Sequence, residues 1–360
     1  AGLGQRISEI VANALQDVRC IFDIHGEVFL FLEAFLKIDL FFFSIDKTWR
    51  FAEITLVEFD ITCPEPILAS NSGGDEYETG DGDLYLNMGS RADFREEIDT
   101  NDNSERFIVK HISGGPGSEV VEVQWGSFKK EFTIDGRVVV EDAGQGDDYV
   151  DLRGIVSESD LRGGVGNDTL FLSDGADSEA WGDAGTDTIT ASIEASATGV
   201  ILHGGDGNDT LVPGTMSITI FGDAGNDTIT GTDEPDELYG DDGTGTISDG
   251  DDNIVGNDGD DIIRGGKGND TLEGSADNDW IRGDDGGDVL RGSRGDDVLD
   301  GGGGDDKLYG SSGNDLLLGG AGADWADGHG GIELLIGENE SGLTINNDPV
   351  DEAHLAAIRG

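Results

Sequence analysis

Aspartate recurs in the second half of this chain at positions 227, 236, 252, 261, 270, 279, 288, 297, 306, 315 and 324, in steps of nine broken once. A row of carboxylates suits two chemistries. In pairs they do general acid and base work; in numbers they hold a hard cation such as calcium, which takes six to eight oxygens at about 2.3–2.6 Å. The neighbouring residues favour the second. Two places after each Asp stands an aliphatic or small apolar residue, namely Ile229, Leu238, Ile254, Ile263, Leu272, Ile281, Leu290, Leu299, Leu308, Leu317 and Ala326, and glycine precedes most of the aspartates by five and by two. Acidic pairs such as Asp241-Asp242, Asp251-Asp252 and Asp305-Asp306 fall inside this pattern, which reads them as cation ligands or solvated turn residues.

The elements that position these groups follow from the unit itself, G-x-x-G-x-D-x-U-x, with U a large apolar residue. Units begin at Gly222, Gly231, Gly240, Gly256, Gly265, Gly274, Gly283, Gly292, Gly301, Gly310, Gly319 and Gly328; the step of sixteen after Gly240 is read as an insertion, Thr244 to Gly250. Glycine at the first and fourth places permits φ > 0 and leaves carbonyls uncovered. The eighth-place aliphatic builds a core that no single unit can bury, so units must stack. Upstream, the good turns place aspartates at Asp148, Asp168, Asp187, Asp209 and Asp227, separated by 20, 19, 22 and 18 residues. The stretches between, such as Leu172 to Trp181, Ala191 to His203 and Pro213 to Phe221, lack the glycines. Cations are therefore expected along one edge up to about residue 231 and along both beyond it. Asp252, Asp270, Asp288, Asp306 and Asp324 should stack along one edge, and Asp236, Asp261, Asp279, Asp297 and Asp315 along the other.

The best copies, Gly204-Gly205-Asp206-Gly207-Asn208-Asp209-Thr210-Leu211 and Gly265-Gly266-Lys267-Gly268-Asn269-Asp270-Thr271-Leu272, resemble the repeats-in-toxin (RTX) nonapeptide, over roughly residues 143–337. The resemblance implies an all-β chain carrying a parallel β-roll, with six turn residues and three strand residues per unit and two units per coil. It also implies calcium between turns two units apart, with Asp148, Asp168, Asp187, Asp209, Asp227, Asp236, Asp252, Asp261, Asp270, Asp279, Asp288, Asp297, Asp306, Asp315 and Asp324 as ligands.

Ahead of the roll the chain reads as antiparallel β. Residues 1–70 are a hydrophobic, β-rich region opening with a short amphipathic helix (Ile7, Ile10, Val11, Ala14, Leu15 and Val18), then strands within Cys20 to Thr62. Their Phe-rich face reads as core, with lipid or partner binding as the alternative. Residues 71–142 read as a small all-β cap, with strand candidates Leu84 to Met88, Arg106 to Ile112, Val120 to Trp125, Phe128 to Thr133 and Val138 to Glu141. Residues 338–360 read as a degenerate coil or frayed end. The two cysteines, Cys20 and Cys63, either pair or remain buried thiols. The chain opens with Ala and reads as a slice of a longer polypeptide.

The net charge is −56, and residues 1–70 hold 5 basic against 11 acidic residues, so the remaining 290 carry −50. Such density suits a disordered tail, but a disordered tail has no reason to keep a nine-residue apolar period. Nucleic acid and anionic membranes are poor partners for this surface, and no run is long and uncharged enough to span a bilayer. No catalytic signature is present: the five histidines form no H-E-x-x-H and no G-x-S-x-G occurs. Thr188-Ile189-Thr190 and Thr228-Ile229-Thr230 fit an ice-binding ladder, but the later positions Ile262, Trp280, Val289, Lys307 and Leu316 interrupt it. The reading is a calcium-binding structural or adhesive module of a large, type I-secreted bacterial RTX protein, meeting other chains or cell-surface components outside the cell. The alternative is the calcium-binding portion of an exoenzyme or toxin whose catalytic domain lies upstream.

Overall fold

The computed structural model describes residues 68–70, 82–89, 104–191, 198–242 and 250–329, with the strands Leu334–Gly337 and Thr344–Ile345. The N-terminal helix and strands, both cysteines, the 71–81 linker and most of the tail after 337 lie outside the described residues.

Among the described residues the strands form two sheets, one of 13 strands and one of 14, and from Val138–Val140 onward successive strands go alternately to the two, so that two strands complete one coil of a solenoid of about ten turns. Pairing within the roll is parallel and in register. Ile263 faces Ile281 and then Leu299 in one sheet; Leu272 faces Leu290 and then Leu308 in the other. Alternation within each short strand points the eighth-place aliphatic and the following first-place glycine inward, as in Val289–Arg294, where Leu290 and Gly292 are buried between outward neighbours. The core they form is continuous from Leu68 to Ala326. No unit buries its apolar face alone, and cohesion comes from the stack.

The antiparallel region is built onto the same two sheets. Arg106–Gly115 pairs in parallel with Tyr149–Asp151 and antiparallel with Ser118–Trp125, which pairs in turn with Phe128–Ile134. Leu84–Leu86 lies parallel to Val138–Val140 and antiparallel to Ala69–Ser70. All five strand candidates between 84 and 141 are strands.

Two sequence expectations change. The insertion occupies 243–249 rather than Thr244 to Gly250, because Gly250 stands in the fourth-place column: a Cβ there would meet the carbonyl of Gly225, and one on Gly268 would overlap the carbonyl of Gly250. The frame alone cannot choose between Gly243 and Gly250; stacking can. The threonine ladder also has to be redrawn. Thr169, Thr188, Thr210, Thr228, Asn253 and Thr271 follow one another on one outer face and give way to Val289 and Lys307, whereas Ile262, Trp280 and Leu316 lie on the opposite sheet. That opposite face carries Trp181, His203, Phe221 and Tyr239 in a near-parallel stack, with centroids 4.7–5.5 Å apart.

Candidate metal centre

The sixth-place aspartates form two files, one at each edge where the chain passes between sheets. In the first file the backbone N–H of each Asp donates to Oδ1 of the next: Asp148 to Asp168, then Asp187, Asp209, Asp227, Asp252, Asp270, Asp288, Asp306 and Asp324, at 2.6–3.1 Å. In the second the order is Asp236, Asp261, Asp279, Asp297 and Asp315, at 2.9–3.0 Å. These fifteen positions are all Asp because the carboxylate must reach an amide one coil away in a fixed register.

All fifteen aspartates are buried, and one carboxylate oxygen is used by the ladder. The other, Oδ2, has no hydrogen-bond partner in Asp168, Asp187, Asp209, Asp227, Asp252, Asp261, Asp270, Asp279, Asp288, Asp297, Asp306 and Asp315. A buried, unpartnered anionic oxygen is costly. Burial first, and neighbouring carboxylates after it, push the acids up from the usual 3.8: Asp168, Asp209, Asp288 and Asp297 to about 6, Asp187, Asp252, Asp261 and Asp306 to about 7, and Asp227, Asp270 and Asp279 to about 8.

The first-place glycine explains what these oxygens face. A Cβ on Gly283 would enter a space bounded by Asp288 Oδ2 of its own unit and by the carbonyl of Gly301 one coil on; Gly222, Gly265 and Gly301 border the same kind of cradle. Glycine keeps that space open. Carboxylate and carbonyl oxygens converging on it are the hard donors that calcium takes. Among the described residues no three acidic, histidine or cysteine side chains converge as a metal-holding group, so carbonyls would have to complete the shell.

Outside this inner file runs a second, of opposite direction. Fifth-place side chains accept from the amide of the following coil: Asn167 donates its N–H to Asp147 Oδ1, Asn269 to Asp251, Asn278 to Asp260, Asp296 to Asn278 and Asn314 to Asp296. Asp alternates with Asn along 260, 278, 296 and 314, which keeps like charges from stacking directly. Second-place aspartates pair with ninth-place side chains one coil earlier: Arg162 with Asp183 and Arg264 with Asp284 as ion pairs at 3.4 and 2.8 Å, and His203 Nδ1 with Asp223 as a hydrogen bond at 3.0 Å.

One participant was missed in the sequence. Glu105 occupies the sixth place of an earlier coil: its N–H donates to Asp148 Oδ1 at 2.6 Å and its carbonyl accepts from Tyr149 N. Ser104 Oγ takes the fifth-place role by accepting from Asp147 N. The only signal was Glu105 two places before the buried Phe107. Along the second edge, where the early units lack glycines, protein groups close the turns. Glu119, fully buried, accepts from Val156 N and Ser157 N, and the hydroxyls of Ser159, Ser173 and Ser178 bond one another at 3.0 Å. Asp236 differs from its file, because its Oδ2 accepts from Thr232 N and Oγ1.

The structure is thus a parallel β-roll whose edges are files of buried carboxylates, twelve of them with one oxygen unpartnered, and several of these face a glycine-lined space that a backbone carbonyl also borders. The family model for the RTX calcium-binding nonapeptide repeat (4 copies) matches residues 160–189, 221–244, 246–281, 282–317 and 309–331. The chain is accordingly an RTX-repeat protein, and its roll is a calcium-binding module. Comparison with curated proteins gave no match.

Proposed function

We propose that the roll is a non-catalytic structural or adhesive module of an exported bacterial RTX protein, folding when it meets extracellular calcium. The observation that carries this reading is the set of twelve buried aspartates with an unpartnered Oδ2. Calcium supplies the positive charge that such a carboxylate file lacks. The chain's own residues then hold position: Oδ1 keeps the ladder amide, Oδ2 and the glycine carbonyls face the cradle, and the aliphatic file excludes water beneath it. At free calcium about a hundred times the dissociation constant, each site adds about 2.7 kcal/mol. Without calcium the files repel one another across coils, which suits a chain that must pass a narrow export channel unfolded. Of the acidic pairs, Asp251-Asp252 and Asp305-Asp306 are built into the ladders as fifth- and sixth-place residues.

Far-UV circular dichroism of the chain with calcium and then with excess EDTA tests the reading. Loss of the β signal and its return on adding calcium are expected; an unchanged spectrum would sink it. The sequence upstream in the gene tests the assignment of role, since further β-modules fit it and an H-E-x-x-H or G-x-S-x-G domain contradicts it.

A further inference from the structure

Asp236 departs from the other aspartates of its edge in a way that the turn Gly231–Asp236 explains. On the second edge the second-place residues Asn257, Ser275, Ser293 and Ser311 are all left-handed, with φ between 77° and 87°. Thr232 holds the same place and is not left-handed, as expected of a β-branched residue, for which that region is strongly disfavoured. The fourth place is Glu234 followed by Pro235, where the other units of this edge have Gly259, Asp277, Gly295 and Gly313 at positive φ; a residue before proline is held toward extended backbone. The turn therefore closes differently. Thr232 N donates to Asp236 Oδ2 at 2.5 Å, and Thr232 Oγ1 lies 3.1 Å from both carboxylate oxygens. Glu234 N donates to Thr232 Oγ1 at 3.0 Å, and Ile218 N to Asp236 Oδ1 at 2.8 Å. Thr232 and Asp236 are both buried.

The remaining walls of the cradle are still there: a Cβ on Gly231 would meet Gly256 O at 2.5 Å and Asp236 Oδ2 at 2.7 Å. What has changed is the occupant. The Thr232 N–H points its positive end at the oxygen that elsewhere is left bare, and the Thr232 hydroxyl, whose one proton is shared among Glu234 O and the two carboxylate oxygens at 3.1 Å, lies beside it; a cation placed there would meet the amide head on. Donors to a buried carboxylate can stabilise its charge as a cation does.

We propose that Thr232 stands in for the cation at Asp236, so that the calcium row of the second edge begins at Asp261. The inference rests on the calcium reading above. Glu119 and the serine hydroxyls close the turns around Ser157 and Ser173 with the protein's own groups in the same way, and ions serve this edge from Asp261 on.

Anomalous scattering from crystals of the calcium-loaded chain reads this without any substitution. Ions are expected at Asp261, Asp279 and Asp297, and none within about 2.6 Å of Asp236; an ion at Asp236 overturns the proposal. Absence of ions at every aspartate would instead defeat the calcium reading itself. Bound calcium per folded chain, measured by elemental analysis, gives a second readout. Asp261→Asn should lose one ion and Asp236→Asn none, and a one-ion loss from Asp236→Asn overturns the proposal. Thr232→Gly with Glu234→Gly and Pro235→Asn, which permits the left-handed second and fourth places of the other units of this edge and so the turn that draws the amide of residue 232 off Oδ2, should gain one ion; an unchanged count overturns the role given to the Thr232 turn.

Discussion

Asp288 performs two separable tasks, and replacing it should reveal both. Its Oδ1 accepts the Asp270 N–H at 2.9 Å, and its Oδ2 is buried without a partner beside the Gly283 cradle. Asp288→Ala strands the Asp270 amide, at about 1–3 kcal/mol, and removes a cation site worth about 2.7 kcal/mol at a hundredfold excess of calcium over the dissociation constant. Together these come to about 4–6 kcal/mol of local stability. Asp288→Asn keeps an oxygen for the amide and loses only the charge, so its cost should be about half. The exposed Asp206, at the variable third place, holds none of the file, and Asp206→Ala should stay within about 0.5 kcal/mol. Because a solenoid opens locally, hydrogen exchange in saturating calcium is the suitable assay. In Asp288→Ala, amides of the coils carrying Asp270 and Asp306 should exchange roughly a thousandfold faster, about 4 kcal/mol at 1.4 kcal/mol per tenfold. Those around Asp168 should be unchanged. Equal effects of Asp288→Ala and Asp206→Ala would refute the assignment of places within the unit.

The raised acids give a pH dependence whose sign is opposite to that of ordinary salt-bridged carboxylates. The folded-state values of about 6–8 lie above the usual 3.8. In EDTA the contribution to stability is therefore fully present below about pH 4 and lost as pH rises through 6 to 8. The calcium-free chain should regain β signal by circular dichroism at pH 5 relative to pH 8, and equal signals would contradict the burial of these groups. Gly304 has φ of 139° and a Cβ there would overlap the carbonyl of Gly286, while a Cβ on Gly303 would meet nothing nearer than Asp285 Oδ1 at 3.6 Å. Gly304→Ala should therefore raise the calcium concentration needed for folding, and Gly303→Ala should leave it nearly unchanged. Leu290 is fully buried, and Leu290→Ala should cost about 2–5 kcal/mol, read as a lower urea midpoint in saturating calcium.

The nine-residue frame was legible because two independent demands, a carboxylate at one edge and an aliphatic in the core, recur in fixed phase. From Asp252 to Asp324 the spacing of nine is enough to sort alternate aspartates to opposite edges, and the hydrogen bonds run along those files. What was not legible depends on contacts between residues far apart in the chain. Glu105 belongs to the first file only because Arg106–Gly115 pairs with Tyr149–Asp151, and no spacing announces a partner 43 residues away. Glu119 closes a turn 37 and 38 residues downstream. The position of Gly250 follows from what lies above and below it, not from its neighbours in sequence. Thr232 is an intermediate case. A β-branched residue at the second place and Glu-Pro at the fourth and fifth were visible departures from the unit, and they signalled a different turn.

The inner ladder has a direction. Each sixth-place amide is satisfied by the coil that follows it, whereas each fifth-place amide is satisfied by the coil before. The two ends of such a stack are chemically unlike, as the ends of a polar filament are. The N-terminal end offers a carboxylate oxygen and must be stopped by a donor, which Gly89 N provides at Glu105 Oε2. The C-terminal end offers an amide in search of an acceptor. Added coils would thus meet a different chemical invitation at each end, and any lengthening or shortening of the array would have to keep a terminator of the matching kind.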